Sequence, residues 1–158
     1  SLNQYLEDVF EACKLNEKEL GILFLDIDYF KQLNDRYGHG KGDEGICAVA
    51  DTLKRIFPED YVARYGGDEF LVVMTGRDRE YAEEHARQLC MGIRECEIPN
   101  EDSSVEPWLT ISVGGVCAIP KEPNRVWDFL SAADKTLYDQ KNEQKGKVRF
   151  YVGEGQYL

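Results

Sequence analysis

Four stretches of the chain repeat apolar side chains every three or four positions, the spacing that places them on one face of a helix. These stretches are residues 2–13, 46–56, 82–93 and 126–138. Pro58 predicts the end of the second helix, because proline lacks the amide hydrogen that a helix needs. Asn124 precedes the fourth helix as a plausible cap. We expect the aromatic side chains at helical spacing, Trp127 and Tyr138 included, to pack in the core.

Shorter stretches have the composition of β-strands. They are residues 20–27, 109–118 and 148–152, together with a hairpin at 61–74. The first is apolar nearly throughout, as in a central strand that is covered on both faces. Gly66 and Gly67 interrupt the hairpin, and we expect them to supply the positive φ of a tight turn.

The order of these elements predicts the fold class. Helix, strand, helices, hairpin, helix, strand, helix and strand follow one another along the chain. This order is typical of an α+β fold with a ferredoxin-like core, in which helices pack on one side of a mainly antiparallel central sheet. The fold class alone does not specify a reaction, so the function has to be inferred from the site.

Composition and charge narrow the class of protein. A length of 158 residues fits one domain, and 30 acidic against 19 basic side chains work against duplex nucleic acid as a partner. No apolar stretch approaches the roughly 20 residues of a membrane-spanning helix, and the first residues do not resemble a secretory signal. We therefore expect no membrane span in this segment and a cytoplasmic location. Five scattered cysteines indicate reduced thiols rather than a disulfide framework.

Two pairs of acidic residues lie at predicted strand ends. Asp26 and Asp28 close the first strand, and side chains two apart project to the same face of a sheet. Asp68 and Glu69 follow the glycine pair of the hairpin. Either pair alone fits solvated acids at a strand end. Together they indicate a magnesium site, because oxygen ligands from neighbouring strands hold Mg²⁺ while leaving positions open for phosphate oxygens.

Two longer motifs surround these acids. Residues 64–70 read RYGGDEF, and residues 26–43 read DIDYFKQLNDRYGHGKGD. The chain resembles the GGDEF domain family of diguanylate cyclases, since the first motif reproduces the family's signature and the second its upstream block. Residues 133–141 also resemble the family's last helix. The resemblance covers nearly the whole chain, which we interpret as a single catalytic domain over residues 1–158.

The resemblance implies an enzyme with a fold similar to nucleotide cyclases and polymerase palms. Its members join two GTP molecules into cyclic di-GMP and release two pyrophosphates. Carried over to this chain, Asp26, the Ile27 carbonyl and Asp68 would bind Mg²⁺, with Mn²⁺ as the alternative metal. Asp68 would also assist deprotonation of the ribose 3′-hydroxyl, and Glu69 would be a supporting acid. A metal and a nearby carboxylate make a sugar hydroxyl reactive near neutral pH.

The same resemblance implies the contacts with the substrate. Asn34 and Asp43 would read the guanine, because its Watson–Crick edge presents adjacent donors that a carboxylate accepts. The other implied contacts with GTP are Phe30, Lys31, His39, Gly66, Gly67, Lys141 and Lys145. Asp43 also suits the first turn of a helix without any ligand. We expect residues 38–42 to form a flexible turn whose amides approach the triphosphate.

The chain departs from the family in two places. Many members carry an Arg-x-x-Asp product-inhibition site before the signature, where residues 57–60 of this chain read FPED. Phe57 cannot make the bidentate phosphate contact of an arginine, so we expect this inhibitory site to be lost although Asp60 is kept. The segment after the last helix is one residue longer than usual. This leaves open whether Lys145 or Lys147 is the second phosphate ligand.

The resemblance also implies partners. A product with two-fold symmetry made from one GTP per subunit requires a homodimer, and a fused sensory or regulatory domain is expected because the chain reads as a fragment of a longer signalling protein. One alternative is a catalytically idle GGDEF-like module that binds GTP or cyclic di-GMP and regulates a fused domain. Another is a plain ferredoxin-like interaction domain, which explains the fold but leaves the clustered acids unexplained.

Overall fold

The computed structural model describes residues 1–153. Its elements are α1 (Leu2–Leu15), β1 (Leu20–Ile27), α2 (Phe30–Tyr37), α3 (His39–Ile56), β2 (Tyr61–Arg64), β3 (Glu69–Thr75), α4 (Arg79–Glu95), β4 (Ile111–Ala118), α5 (Val126–Glu143) and β5 (Val148–Phe150). The four helical stretches and the strands expected from the sequence are all present. Within this part of the chain, no helix is both long and apolar enough to span a bilayer.

The five strands form one sheet in the order β2-β3-β1-β4-β5. Strand β1 pairs antiparallel with both β3 and β4, and β2 pairs antiparallel with β3. Only the pairing of β4 with β5 is parallel. The prediction of a mainly antiparallel sheet is therefore confirmed. All eight residues of β1 are buried, as expected for a central strand covered on both faces.

Helices cover both faces of the sheet, so the expectation that they pack on one side is wrong. Ile22 and Phe24 of β1 lie in one apolar cluster with side chains of α1 and α5. Leu23 and Leu25, which alternate with them, lie in a second cluster with side chains of α2, α3 and α4. Alternation along a strand sends successive side chains to opposite faces, so a β1 that is apolar over nearly its whole length needs a helical layer on each side.

Three details near the last helix differ from expectation. Arg125, rather than Asn124, stands at the start of α5, and its backbone N–H donates to the Asp128 carboxylate at 2.7 Å. Trp127 and Tyr138 are 51% and 66% exposed and lie on the outer face of the helix instead of in the core. Strand β5 ends at residue 150, two residues before the end expected for the 148–152 stretch.

Candidate active site

The first acidic side chain of the site lies at the buried end of β1. Asp26 is 6% exposed, and its Oδ2 accepts a hydrogen bond from Lys141 Nζ at 2.5 Å. Burial raises the pKa of Asp26 and outweighs the opposing effect of Lys141, while the charges of Asp28 and Asp68 raise it further. Burial alone would lower the pKa of Lys141, but the hydrogen bond and charge of Asp26 raise it overall. The site therefore holds an ammonium against a poorly solvated carboxylate.

The neighbouring acid, Asp28, is anchored inside the protein. It is 2% exposed, and its carboxylate accepts hydrogen bonds from Thr110 Oγ1 at 2.8 Å and from Ser112 Oγ at 2.6 Å. Its backbone N–H donates to the Thr110 carbonyl at 3.0 Å, which extends the β1–β4 ladder by one residue. Two hydroxyl donors satisfy a buried carboxylate that would otherwise be costly. Asp28 therefore fixes the chain where β1 ends.

The backbone turns sharply directly after Asp28. Tyr29 adopts the left-handed conformation with φ 54° and precedes the first residue of α2. The side-chain amide of Asn100, fully buried in the loop before β4, donates to the carbonyl oxygens of Asp28 and Tyr29 at 3.5 and 3.4 Å. A non-glycine residue in this conformation needs such support from its surroundings. Hydrogen bonds from Thr110, Ser112 and Asn100 thus hold the connection from β1 to α2 in place.

The second acidic pair lies at the hairpin tip between β2 and β3. Gly66 and Gly67 are not among the glycines with positive φ, so the expected positive-φ turn is wrong. The tip is closed differently: the N–H groups of Tyr65 and Gly66 donate to the Glu69 carbonyl at 2.8 and 3.3 Å. The Arg64 guanidinium also donates to the carbonyl oxygens of both glycines. This clamp leaves Asp68 half-buried at the tip.

The acids fit a divalent cation by the chemistry of their oxygens. Asp26 Oδ1 is buried and makes no hydrogen bond within the described residues. The Ile27 N–H donates to the Asp68 carbonyl at 3.2 Å, which places the hairpin tip directly beside the end of β1. Carboxylate and carbonyl oxygens are the ligands that Mg²⁺ prefers. Over residues 1–153, no three His, Cys, Asp or Glu side chains are already gathered as a metal-binding group.

A cavity of 450 Å³ adjoins the Asp26–Lys141 pair. Its lining includes four cationic side chains: Arg94, Lys141, Lys145 and Lys147. Lys145 Nζ lies 5.4 Å from the centre of the Tyr29 ring, at the start of α2. Both lysines that compete for the second phosphate position therefore line the same space. Glu106 and Glu143 also line the cavity, so its cations exceed its acids by two; in a chain with a net charge of -11 this positive balance favours an anionic ligand.

The residues assigned to guanine meet where α2 is followed by α3. Asn34 is half-buried, and its Oδ1 lacks a hydrogen-bond partner within the described part of the chain. A Cβ on Gly42 would lie 1.8 Å from this oxygen, so Asn34 packs directly against the first turn of α3. His39 and Asp43 are exposed on the same turns. The expected flexible turn at 38–42 is corrected: Gly38 has φ 88°, and the helix begins at the next residue.

Two further predicted substrate contacts, Phe30 and Lys31, lie in the first turn of α2. Phe30, the first residue of α2, is half-buried and packs against the core cluster of that face. Lys31 points to solvent and pairs with Asp35 at 2.9 Å. Its ammonium would have to leave this pair to reach a phosphate. Exposed ion pairs are weak, so such a movement costs little.

The position of the family's inhibitory site is occupied by a packed aromatic group. Phe57 is 1% exposed, lies in the core and contacts the His85 ring at 5.8 Å between ring centres. Asp60 accepts a hydrogen bond from the Tyr81 hydroxyl at 3.4 Å. Burial raises the pKa of Asp60 although Arg77 opposes the shift. Phe57 is therefore a core residue, and its side chain does not present a group to a ligand.

Several residues of the site were missed by sequence reasoning. They are Thr110, Ser112 and Asn100, which hold the end of β1; the role of Arg64, which closes the hairpin tip, was left ambiguous. The alternation of polar residues in the 109–118 stretch was the available signal, since Thr110 and Ser112 stand two apart in a stretch that is otherwise apolar. No local pattern indicates their partner, because Asp28 is 84 residues away from Ser112.

Comparison with known proteins decides the family. Residues 1–147 match the family model described as diguanylate cyclase, GGDEF domain. The chain belongs to the GGDEF domain family. It is 32% identical over 144 residues to the probable diguanylate cyclase DgcC of Escherichia coli K12, which covers 90% of this chain. The GGDEF chain spans only 38% of the length of that relative.

Solved structures of GGDEF domains have the same fold. The active GGEEF domain of a diguanylate cyclase from Vibrio cholerae gives a TM-score of 0.83 at 25% identity, over 96% of this chain and 94% of that chain. The GGDEF domain of DgcB from Caulobacter crescentus, in complex with c-di-GMP, gives 0.84 at 24% identity, over 94% and 87%. The predicted nucleotide cyclase-like fold is confirmed.

Proposed function

We propose that this GGDEF domain is a diguanylate cyclase, which condenses two GTP molecules into cyclic di-GMP and releases two pyrophosphates. One observation carries the proposal: Asp26, whose Oδ1 has no hydrogen-bond partner within the described residues, pairs through its Oδ2 with Lys141, which lines a cavity together with Arg94, Lys145 and Lys147. Acids that suit a metal and cations that suit phosphates are the two halves of a site for a metal–nucleotide complex.

The acids supply the metal site and the base. Asp26, the Ile27 carbonyl and Asp68 would hold Mg²⁺, or Mn²⁺, which lowers the pKa of the attacking hydroxyl when it is bound. Asp68, half-buried at the hairpin tip, accepts the proton of the ribose 3′-hydroxyl, and the exposed Glu69 supports it. Gly66 and Gly67 leave room for the nucleotide at the tip, because neither carries a side chain.

The cations and the polar residues of α2 and α3 bind the rest of GTP. Lys141 and Lys145, with Lys147 as the alternative in the longer loop, contact the phosphates. The start of α2 at Phe30 and Lys31 presents free backbone amides to the same anion, as helix N-termini do. His39, at the start of α3, is a further contact with GTP.

Base selection rests on Asn34 and Asp43. Guanine presents N1–H and the 2-amino group as donors, and the acceptors are the Asp43 carboxylate and Asn34 Oδ1, which has no partner among residues 1–153. Adenine would place its own acceptor against them. GTP is therefore bound in preference to ATP.

Catalysis requires two copies of the domain. Each copy holds one GTP, and the product has two-fold symmetry, so the two sites face each other across a symmetric dimer. Tyr65 is exposed at the hairpin tip and is available to such a contact. A fused sensory or regulatory domain would raise the effective concentration of the second copy.

The direct test is turnover by the purified domain. The domain at high concentration is incubated with GTP and Mg²⁺, and cyclic di-GMP is identified by mass; ATP serves as the comparison nucleotide. We expect cyclic di-GMP from GTP and no cyclic product from ATP. Tight GTP binding without turnover would refute the proposal and support an idle regulatory module instead.

A matched pair of variants assigns the chemistry. Asp68→Asn removes the proposed base with little change in size, and we expect product formation to fall at least about 100-fold while the protein stays folded. Asp51→Asn, an exposed acid on α3, makes the same chemical change away from the site. Comparable rates for Asp68→Asn and Asp51→Asn would remove the catalytic role of Asp68.

A further inference from the structure

Ser112 connects two parts of the site that are distant in sequence. It is fully buried on β4, its hydroxyl donates to Asp28 Oδ1 at 2.6 Å, and its oxygen accepts the N–H of Gly146 at 2.9 Å. A serine hydroxyl has one proton to donate and lone pairs to accept, so Ser112 uses both capacities at once. Thr110, which also binds Asp28, contacts the other carboxylate oxygen.

Gly146 is held on both sides of its backbone. Its carbonyl accepts a hydrogen bond from Arg94 Nη2 at 2.8 Å, opposite the bond from its N–H to Ser112. Its φ is 79°, and a Cβ at this position would lie 2.7 Å from Val105 Cγ1. The loop between α5 and β5 therefore passes through a narrow space in one conformation.

The loop carries the lysines that flank Gly146. Lys145 and Lys147 line the cationic cavity, and each is one residue from the clamped glycine. Asp28, at the other end of the Ser112 bond, is two residues from Asp26 at the end of β1. The Ser112 hydroxyl is thus one link between the end of β1 and the lysine loop, beside the Val113 N–H, which donates to the Lys147 carbonyl at 3.0 Å, and the direct contact of Lys141 with Asp26.

We propose that Ser112 is a positioning residue, which sets the lysine loop at the distance from the β1 acids that a triphosphate requires. This inference rests on the proposed function, because it assigns the loop to the phosphates of GTP. Ser112 does not touch the substrate in this account. Its removal should weaken GTP binding far more than it slows the chemical step.

Ser112→Ala and Thr110→Val form a matched pair. Each removes one hydroxyl that donates to Asp28, but only Ser112→Ala also removes the partner of the Gly146 N–H. For Ser112→Ala we expect the half-saturating GTP concentration to rise about tenfold with kcat within about threefold. For Thr110→Val, which removes a donor to Asp28 but keeps the Ser112 contact with Gly146, we expect the rise in the half-saturating GTP concentration to be at least about threefold smaller than for Ser112→Ala. Ser112→Cys keeps a weak donor and acceptor of similar size and should fall between Ser112→Ala and wild type.

Two measurements distinguish a general loss of stability from a loss of the restraint on the lysine loop. Thermal unfolding midpoints report the shared loss of a buried hydrogen bond, and amide hydrogen exchange reports the restraint on Gly146. Exchange at Gly146 should be faster in Ser112→Ala than in Thr110→Val, whether or not the domain turns over. If Ser112→Ala is not obtained folded, Ser112→Cys is compared with Thr110→Val by the same measurements.

The outcomes separate this inference from the proposed function. A wild-type domain that converts GTP, combined with equal GTP requirements and equal Gly146 exchange in the two variants, overturns the positioning role and leaves the cyclase assignment intact. A loss confined to kcat in Ser112→Ala also overturns it. A wild-type domain that neither binds nor converts GTP overturns the proposed function itself, and with it the assignment of the loop to phosphates.

Discussion

Replacing Gly42 by alanine tests the guanine site through a side chain that the mutation does not change. Gly42 is buried in the first turns of α3, and an added Cβ would lie 1.8 Å from Asn34 Oδ1. The Asn34 side chain must therefore rotate away. Because Asn34 Oδ1 has no hydrogen-bond partner within the described residues, this rotation breaks no protein hydrogen bond.

The structure predicts that Gly42→Ala preserves or raises the stability of the domain and lowers its affinity for GTP. Alanine is better than glycine in a helix by up to about 1 kcal/mol, which corresponds to a rise of about 2–4 °C in Tm for a chain of this size. The displaced Asn34 loses its contact with guanine and leaves a base donor unpaired, at a cost of roughly 1–2 kcal/mol. We therefore expect an unchanged or slightly higher Tm and about a tenfold weaker affinity for GTP.

Gly40→Ala is the control for this experiment. Gly40 lies in the same turn of α3, and within residues 1–153 a Cβ placed there would meet nothing within 4 Å beyond its chain neighbours and the backbone of its own helix. GTP affinity is measured by titration calorimetry for both variants and wild type, beside their thermal unfolding curves. Gly40→Ala should bind GTP as wild type does. Wild-type affinity in Gly42→Ala would refute the role of Asn34, and a large fall in Tm would refute the free rotation of its side chain.

Three further predictions follow from other parts of the fold. Gly114→Ala places a Cβ 2.3 Å from the backbone nitrogen of Leu137 in α5, so Tm should fall by several degrees, about 3 kcal/mol of stability, as measured by calorimetry. Phe57 is a core residue, so added cyclic di-GMP should leave the initial rate within about twofold of the uninhibited value; strong inhibition would contradict this. In a thiol-labelling time course, the exposed Cys47 and Cys96 should react rapidly and the other three cysteines slowly, since burial raises the pKa of those thiols.

Much of the fold could be predicted because it depends on local patterns. Helical spacing of apolar residues located α1, α3, α4 and α5, and the uninterrupted apolar run located β1. The side of the sheet on which each helix packs was not predictable in the same way. A strand that is apolar over nearly its whole length presents two similar faces, and only the connections between elements decide which helix covers which face.

The candidate site was likewise predictable where it depends on the local sequence and not where it depends on the folded backbone. The signature at the hairpin and the acids at the end of β1 could be recognised from the order of residues. The hydrogen bonds of Arg64 to the two glycines and the left-handed backbone of Tyr29 could not be recognised from the sequence, because both depend on how the backbone folds. The reading of 38–42 as a flexible turn was wrong for a related reason: glycine content indicates freedom, while packing against Asn34 requires the absence of a Cβ inside a helix.

By itself, the amino-acid sequence determined most of the helices and strands, which family the motifs resemble, and which side chains are predicted to carry the chemistry. Tertiary structure alone decided which of them meet: Lys141 with Asp26 across 115 residues, and Asp28 with Ser112 across 84. Hydrophobic periodicity is set within a few residues of each position. Contacts between distant residues depend on strand order and register, to which every part of the chain contributes at once.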